Sequence, residues 1–417
     1  MYYKRTIEKS IIEASRTFPC IAVYGPRQVG KSTTIQMLFP ELPHVSLDDA
    51  QDRNLANINP SLFLDNLGWP VLIDEVNKAP KLFDEIKIRI DKQRFAWMKG
   101  NKPCKLMYVI SGSNQFELKQ SVSDSLAGRT AVLTMSSFTY AEKSKTGGSA
   151  FDPDIQAIIQ KQKNLGVEAR TRRQMFEEIF KGGMPDIIAS KADRTLFFKS
   201  YVETYMEKDI RRLINVSSEA SFMSFLSIVA LRTAQTINYD DISNSLGINM
   251  ETCKRWLSIL ESSGIISILQ PFHSNLSNRI TKTPKLYFMD TGLCAYLCKW
   301  PSSEILEDCA MSGAFFETYV VSEMIKSLQN AGLDPKQYLY FYRDRDQKEI
   351  DVIFEKNGCI YPIEIKKGIN PSKPTKNFKV LEKTRIPIET GLVIDCCDQI
   401  RPINENVYCC PAVLVSI

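Results

Sequence analysis

The stretch that decides the fold of the N-terminal region reads Pro19-Cys-Ile-Ala-Val-Tyr24 and runs directly into Gly25-Pro26-Arg27-Gln28-Val29-Gly30-Lys31-Ser32-Thr33. Residues 19–24 form an apolar run typical of a buried strand, and residues 33–39 are compatible with a helix. The loop between them matches GxxxxGK[ST] in full. Glycines in this pattern let backbone N–H groups curl around phosphate oxygens. The segment therefore predicts a strand–loop–helix unit in which residues 25–33 bind the phosphates of ATP.

A second apolar run ends in two acids at Trp69-Pro-Val-Leu-Ile-Asp74-Glu75. We expect Ser32 and Asp74 to hold Mg²⁺, and Lys31 to neutralise the β- and γ-phosphates. Glu75 is the candidate general base that polarises the attacking water. A strand that ends in a solvated acidic turn is the simpler alternative, but its position after a phosphate-binding loop favours the metal site.

Two further segments carry candidate catalytic residues. Ser113 and Asn114 follow a predicted strand at residues 106–111, and they would sense the γ-phosphate if that strand lies between the loop strand and the metal strand. An ordinary Ser/Asn turn is the alternative. Arg129 is a candidate arginine finger, in the same chain or toward a neighbouring subunit of a homo-oligomer. A solvated charge is the alternative for this residue.

The order of predicted elements indicates an α/β chain of three domains. Apolar runs at residues 19–24, 44–47, 71–73, 106–111 and 131–135 alternate with helical stretches, which is typical of a parallel sheet. The chain has 417 residues, and a domain averages about 150 residues, so length alone suggests about three domains. We place them at residues 1–150, 151–300 and 301–417.

Several short motifs resemble those of prokaryotic ATPases of the AAA superfamily that carry a C-terminal domain of unknown function. They are GPRQVGKST, VSLDD at 45–49, LIDEV at 72–76, SGSNQFEL at 111–118, SLAGR at 125–129 and GGMP at 182–185. The resemblance implies an ATPase module with Lys31, Ser32, Asp74 and Glu75 at the metal site. It also implies that Gly183 and Pro185 belong to a lid near the nucleotide, although Gly and Pro also simply end helices.

Residues 239–288 predict a winged helix. Helices at 239–246 and 249–260 flank a turn at Gly247, and strands at 265–269 and 285–288 would form the wing. The cations that would contact DNA phosphates are Lys254, Arg255, Arg279, Lys282 and Lys285. A winged helix also serves as a structural lid, in which case the same residues form a solvated face.

The C-terminal region contains a pattern that resembles the PD-(D/E)XK nuclease superfamily and predicts a restriction-endonuclease-like α/β domain. Asp351 lies on one predicted strand, and Glu364 and Lys366 lie two residues apart on the next, so their side chains share a face. With Glu317 on the preceding helix, the carboxylates would hold a second divalent ion, Mg²⁺ or Mn²⁺, and Lys366 would orient water. A structural relic would keep the same strands without the activity.

Bulk composition excludes little else. The net charge of +5 hides local basic excess, for example seven Lys or Arg against two Glu at residues 362–385. No apolar run is long enough for a membrane helix, the N-terminus lacks a signal-peptide core, and the 11 cysteines form no CxxC spacing. These features predict a cytoplasmic protein with reduced thiols and no membrane partner.

Three functions follow as alternatives. The leading one is ATP hydrolysis coupled to DNA binding or processing. The others are a nucleotide-driven switch with a non-catalytic C-terminal docking domain, and an ATP-gated nuclease.

Overall fold

The N-terminal region of the computed structural model is a five-stranded parallel sheet. Its strands are β1 (Cys20–Tyr24), β2 (His44–Ser46), β3 (Val71–Asp74), β4 (Tyr108–Gly112) and β5 (Thr130–Thr134), in the order β2-β3-β4-β1-β5. All of β1 is buried, because β4 and β5 cover its two edges and helices cover its faces. A strand in this position reads as a continuous apolar run, and the predicted parallel α/β sheet is confirmed. The structure describes residues 2–112, 125–165, 170–204, 219–272, 283–369 and 371–417.

Among the described residues, six helices accompany this sheet. They are α1 (Glu8–Thr17), α2 (Lys31–Leu38), α3 (Ala50–Ile58), α4 (Pro60–Leu67), α5 (Lys81–Lys99) and α6 (Tyr140–Ser144). The side chain of Asp49 caps α3 and that of Asn59 caps α4, which accounts for the sharp starts of two consecutive helices. Strand β4 lies between β1, which precedes the phosphate loop, and β3, which ends at Asp74. The carboxyl ends of β1 and β3 therefore lie at the same edge of the sheet.

The middle region is mostly helical. Its helices are α7 (Ile155–Leu165), α8 (Arg172–Lys181), α9 (Pro185–Ala189), α10 (Arg194–Tyr201), α11 (Glu219–Ala230), α12 (Tyr239–Leu246), α13 (Met250–Ser262) and α14 (Thr291–Leu297). The side chain of Asn249 caps α13, and Gly247 adopts the left-handed conformation that ends α12. A small antiparallel sheet of β6 (Gln235–Thr236), β7 (Ile266–Leu269) and β8 (Lys285–Phe288) follows in the order β6-β8-β7. The helix–turn–helix and its two strands therefore form where the sequence places them.

The C-terminal region is a mixed six-stranded sheet with the order β13-β14-β12-β11-β10-β9. The strands are β9 (Leu339–Arg343), β10 (Glu349–Lys356), β11 (Cys359–Ile365), β12 (Gly391–Asp395), β13 (Arg401–Asn404) and β14 (Val407–Pro411). Helices α15 (Ser303–Asp308) and α16 (Ser312–Asn330) precede them. The apolar runs at residues 338–342, 350–354, 361–365 and 391–394 predict four strands, which match β9 to β12, whereas β13 and β14 are not predicted. This sheet establishes a mixed α/β region, and its topology alone does not establish a nuclease fold.

The three regions share one hydrophobic core. A single cluster of buried residues includes Ile7 and Leu133 of the first region, Phe176 of the second, and Val320 and Ile417 of the third. Helix α16 packs against β5, so the C-terminal region contacts the first sheet directly. The regions therefore differ in architecture but are joined by buried contacts.

No helix in the described ranges combines the length and hydropathy needed to cross a membrane.

Candidate functional site

The phosphate loop has a backbone that side chains would obstruct. Gly25 and Gly30 have φ angles of 149° and 91°, and Gln28 also has a positive φ of 63°. A Cβ atom on Gly25 would lie 1.9 Å from the carbonyl oxygen of Met135, which follows β5. Glycine is required at this position because the loop touches the backbone of the neighbouring strand.

Lys31 is buried and its ammonium group contacts the loop itself. It donates hydrogen bonds to the carbonyl oxygens of Gly25 at 2.9 Å and Pro26 at 2.8 Å. Burial lowers the pKa of Lys31 to about 8, although the nearby carboxylates of Glu75 and Asp74 oppose that shift. The acceptors are neutral, so phosphate oxygens can replace them with ion pairs in which both partners carry charge.

Asp74 joins the loop to the end of β3. Its carboxylate accepts hydrogen bonds from the Ser32 hydroxyl at 2.5 Å and from the Ser111 hydroxyl at 2.6 Å. Hydroxyl and carboxylate oxygens are the hard ligands that Mg²⁺ prefers, so Ser32 and Asp74 fit the ion that the P-loop fold implies. Ser111 lies on β4, and the sequence singled it out only as part of a strand.

Beside these residues is a cavity of about 320 Å³, within the range of small-ligand sites. It is lined by Arg27, Gln28, Gly30, Lys31, Ser32, Thr33, Glu75 and Thr204. Glu75 has a φ of 53°, a conformation uncommon for a residue with a side chain. Thr204 comes from the segment after α10, and no feature of the sequence pointed to it. The loop, Asp74 and Glu75 therefore converge around one cavity.

Arg5 holds the loop from behind, and sequence reasoning missed this role. Its buried guanidinium donates to the carbonyl oxygens of Val29 at 2.8 Å and Ser136 at 2.7 Å, and it pairs with Glu142 at 3.1 Å. Val29 itself is buried in the core. A lone arginine near the N-terminus gives no signal of such contacts, because its three partners come from distant parts of the chain.

The GGMP element lies against the ATPase region rather than in the cavity lining. Gly183 accepts a hydrogen bond from Phe138 N at 2.7 Å and donates one to the Asp290 carboxylate at 2.9 Å. A Cβ atom on Gly30 would lie 4.0 Å from Pro185 Cγ, so Pro185 is close to the phosphate loop. The expected direct contact of Gly183 and Pro185 with nucleotide stays a prediction.

Arg129 lies at the other edge of the sheet. It precedes Thr130, which pairs with Cys20 at the start of β1, whereas the phosphate loop follows the end of that strand. At about 3.3 Å per residue, a strand of this length separates the two edges by roughly 15 Å. Arg129 instead pairs with Asp91 at 2.7 Å and 2.9 Å. This geometry contradicts an arginine finger within one chain, and a role toward a neighbouring subunit stays a prediction.

Ser113 and Asn114, the candidate sensors, lie outside the described residues. The strand that precedes them, β4, does lie between β1 and β3 as that prediction required.

A second group of carboxylates lies at the C-terminal sheet. Lys366 Nζ is 2.6 Å from Glu364 and 3.2 Å from Asp351, and Asp351 also accepts a hydrogen bond from Ile365 N at 2.8 Å. The predicted proximity of Asp351, Glu364 and Lys366 across β10 and β11 is therefore present. Burial, followed by repulsion from Asp351, raises the pKa of Glu364 to about 8.

Glu317 forms an ion pair with a lysine from the middle region. Lys285 on β8 is only 2% exposed, and its ammonium lies 2.9 Å from Glu317 and 2.6 Å from Glu349. Tyr287 donates a second hydrogen bond to Glu317 at 2.7 Å. Burial raises the pKa of Glu317 to about 7, although the positive charge of Lys285 opposes that shift. For Lys285 the balance is reversed: burial lowers its pKa, but the surrounding acids outweigh burial and raise the pKa of Lys285 well above its usual value.

This arrangement does not fit the second metal ion that we expected. In the described part of the chain, Glu317, Asp351 and Glu364 do not form a group of three whose ligand oxygens lie within 4.8 Å of one another. The ammonium groups of Lys285 and Lys366 already neutralise these acids. The nuclease-type metal site is therefore corrected to a buried network of acids and lysines.

The candidate DNA-contacting cations divide into three groups. Lys254 and Arg255 on α13 are exposed, as are Lys373, Lys376 and Lys379 in the basic stretch. Lys285 is buried, so its expected place on the wing surface is wrong. Arg279 and Lys282 lie outside the described residues.

Family comparisons divide the chain into three matched segments. Residues 17–143 match the family described as AAA domain. Residues 172–304 match a domain of unknown function (DUF8612), and residues 312–415 match another (DUF4143).

Two mycobacterial relatives match along most of the chain. They are the uncharacterized proteins Rv2008c of Mycobacterium tuberculosis and Mb2031c of Mycobacterium bovis. Each is 25% identical over 357 residues, which cover 85% of this chain and 71% of the relative.

Among solved structures, the Walker-type ATPase PABY2304 of Pyrococcus abyssi is 12% identical with a TM-score of 0.41, covering 71% of this chain and 96% of that one. A point mutant of RuvB from Thermotoga maritima is 14% identical with a TM-score of 0.29, covering 63% and 86%. At these TM-scores the likenesses decide nothing about fold or function. The motifs, the sheet and the family match agree, and the chain carries an N-terminal AAA-type P-loop ATPase domain followed by two domains of unknown function.

Proposed function

We propose that this chain binds ATP with Mg²⁺ in the phosphate-loop cavity and hydrolyses it. The observation that carries the proposal is the hydrogen bond between Ser32 and Asp74 beside a cavity lined by the loop and Glu75. Lys31 would exchange its two carbonyl acceptors for phosphate oxygens. Bound Mg²⁺, held by Ser32 and Asp74, would neutralise charge on the phosphates. Glu75 would take the proton of the attacking water.

The change Glu75→Gln tests this assignment. It keeps the size of the side chain and removes the base, so turnover should fall about 10²-fold or more while ATP binding persists. Single-turnover hydrolysis and nucleotide retention on a filter measure both effects. Glu41→Gln, an exposed change on the same domain, is the matched control. Equal turnover in the two variants would remove Glu75 from the mechanism.

The proposal extends to transmission of the nucleotide state to the other regions. Thr204 of the middle region lines the cavity, and Gly183 connects Phe138 to Asp290. Glu323 on α16 accepts a hydrogen bond from Tyr140 N at 2.7 Å. These contacts give each region a direct path from the phosphate loop.

Coupling to DNA is the finer form of this proposal. Lys254 and Arg255 are exposed on the second helix of a helix–turn–helix, where phosphate contacts would be made. Duplex DNA should then stimulate ATP turnover at about 50 mM salt and much less at about 200 mM, because phosphate contacts weaken with salt. The double change Lys254→Ala/Arg255→Ala should remove the stimulation, and Lys102→Ala, an exposed change elsewhere, should keep it.

A nucleotide-driven switch is the second candidate function. The observation in its favour is that Lys285 forms ion pairs with Glu317 and Glu349 of the C-terminal region. With these acids already paired, the simplest role for the C-terminal region is that of a non-catalytic docking domain. Turnover that is insensitive to duplex, single-stranded and branched DNA would favour this switch. Metal-dependent DNA cleavage that is lost in Asp351→Ala would instead establish the ATP-gated nuclease.

In the proposed function, Arg129 acts only in a homo-oligomer, on the ATP site of a neighbouring subunit. A neighbouring subunit placed against the far edge of the sheet would receive this side chain near its own phosphate loop. Mixing Arg129→Ala chains with Lys31→Ala chains should then restore some turnover, since each mixed interface can contain one intact site. If ATP turnover of the mixture does not exceed that of either variant alone, Arg129 has no role between subunits.

A further inference from the structure

Two pairs of adjacent cysteines lie at the end of the chain, and neither has a place in the proposed ATPase. Cys396 and Cys397 follow β12, and Cys409 and Cys410 belong to β14; all four are buried. Within each pair the two side chains join different clusters. Cys396 and Cys410 belong to the large core, whereas Cys397 and Cys409 pack with Val393 and Val407.

Cys397 and Cys409 are brought together by the sheet. Strand β12 pairs in parallel with β14, and Val393 lies opposite Cys409. The Sγ atoms of Cys397 and Cys409 are 3.6 Å apart. With Asp395 they form the one group of three His, Cys, Asp or Glu side chains in the described ranges whose ligand atoms lie within 4.8 Å of one another.

Asp395 is a fully buried carboxylate that its surroundings satisfy only in part. Its exposure is 0%, and one oxygen, Oδ1, accepts a hydrogen bond from Cys397 N at 2.7 Å. The other, Oδ2, accepts no N–H or O–H hydrogen bond from the described residues. Its neighbours are Arg401 Nη2, at an ion-pair distance of 3.7 Å, and the Cys397 thiol, which can donate to the carboxylate. A buried carboxylate oxygen held only by these weaker contacts gains a stronger partner in a bound cation.

The distance between the two sulfurs matches shared coordination of a metal. Zinc–sulfur bonds of about 2.3 Å at a tetrahedral angle place two sulfurs about 3.8 Å apart, whereas a disulfide requires about 2.05 Å. The observed 3.6 Å, at which the Cys409 thiol also donates a hydrogen bond to Cys397 Sγ, is close to the first value, so a metal can replace the thiol protons with little movement of the sulfurs. Arg401 Nη2 also lies 3.7 Å from Cys409 Sγ.

The charges balance as well. Two thiolates and one carboxylate carry three negative charges, and a divalent ion together with the Arg401 guanidinium carries three positive charges. Thiolate ligands also favour zinc over Mg²⁺, which selects oxygen ligands.

We propose that Asp395, Cys397 and Cys409 supply three ligands of a four-coordinate Zn²⁺ site, with a water molecule as the fourth. Such an ion connects the end of β12 to β14, and through Arg401 to β13. It therefore secures the outer strands of the C-terminal sheet, where the β13–β14 hairpin packs on a single neighbouring strand.

Cobalt(II) is the probe that tests the site in the full chain. The protein is reduced with a phosphine, stripped of metal with a chelator and titrated with Co²⁺. We expect one equivalent to produce thiolate-to-cobalt charge-transfer absorption with the visible bands of four-coordinate cobalt, and one equivalent of Zn²⁺ to abolish both. Co²⁺ at Ser32 and Asp74 cannot produce the charge-transfer band, since that site has no sulfur. A reduced wild-type chain without this band would overturn the proposal.

Adjacent cysteines provide a matched pair of variants. Cys397→Ala/Cys409→Ala should lose the charge-transfer band, and Cys396→Ala/Cys410→Ala should retain it. Asp395→Asn keeps both thiols, so the band should remain while Co²⁺ binds at least about tenfold more weakly. This third variant keeps the test valid if a double variant fails to fold. Bands of equal strength in the two double variants, or unchanged affinity in Asp395→Asn, would contradict the site.

Discussion

The phosphate-loop site and the C-terminal carboxylate cluster each bring a buried lysine close to aspartate and glutamate side chains, and they differ in what the lysine contacts. Lys31 donates to two backbone carbonyls, and the nearby Asp74 binds two serine hydroxyls. Lys285 instead contacts the carboxylates of Glu317 and Glu349 directly. The first lysine has only neutral acceptors to give up, whereas the second already belongs to ion pairs.

This difference in the acceptors of the two lysines indicates which cluster can receive a ligand. Phosphate and Mg²⁺ offer Lys31, Ser32 and Asp74 better partners than they now have, because contacts between opposite charges replace contacts in which at most one partner is charged. A metal at the C-terminal cluster would have to compete with Lys285 and Lys366, which are part of the same chain. The same residue types therefore produce a binding site in one region and a satisfied structural network in the other.

The largest effect that we predict concerns the first site. Lys31→Ala should lower ATP turnover by about 10³-fold or more, because it removes the cation that neutralises transferred phosphate in a buried site. Steady-state phosphate release measures the loss. Lys81→Ala removes an exposed lysine from the same domain and serves as the control. Full turnover in Lys31→Ala would remove this cavity as the site of hydrolysis.

The second prediction concerns stability, for which Lys285 should matter more than Lys31. Lys285→Met should lower the free energy of unfolding by about 3 to 5 kcal/mol, because it leaves buried acids without their cation. Lys31→Met should cost under about 1.5 kcal/mol, because the lost hydrogen bonds and the lost attraction to Asp74 and Glu75 are offset by removal of a desolvated ammonium group. Urea denaturation of both variants measures the contrast.

A second change on the same background makes this test specific. Glu317→Gln added to Lys285→Met should recover part of the lost stability, since it removes one of the uncompensated acids. Equal losses in the two single methionine variants would show that the two lysines are not held differently.

The most gradual effect is a dependence of stability on pH. The pKa of Glu364 is raised from 4.5 to about 8, so between these values the folded chain holds a proton that the unfolded chain has lost. Stability from this group is therefore complete below about pH 4.5 and falls as pH rises toward 8, by at most about 1.4 kcal/mol per pH unit. Glu364→Gln should flatten this slope in denaturation curves taken across that range. A slope unchanged by Glu364→Gln would assign the dependence to other groups, of which Glu317 is the nearest candidate.

The local parts of the fold could be predicted because they depend on short-range patterns. The apolar run at Cys20–Tyr24, the capping side chain of Asn249 and the left-handed Gly247 each specify their own element. The phosphate loop is equally local, since its glycines, Lys31 and Ser32 are consecutive. Strands β13 and β14 were missed because they are short and one of them ends in Cys-Cys-Pro.

Contacts between distant segments could not be predicted in the same way. Arg5 reaches Val29, Ser136 and Glu142, and Lys285 reaches Glu317 and Glu349, without any sequence spacing that marks these partners. Arg129 shows the opposite error. Its position in a motif suggested an active-site role, and the register of β5 places it at the far edge of the sheet.

The apolar runs and motifs were enough to predict the phosphate-binding loop, the positions along the chain of the strands around it and the AAA-type resemblance, because each depends on residues close together in the chain. Only the tertiary structure decided which charges are available. It left Lys31 beside an open cavity and buried Lys285 among acids, although Lys31 follows an apolar strand and Lys285 begins one. The reason is that desolvation and pairing depend on neighbours in space, and in this chain those neighbours come from three regions that share one core.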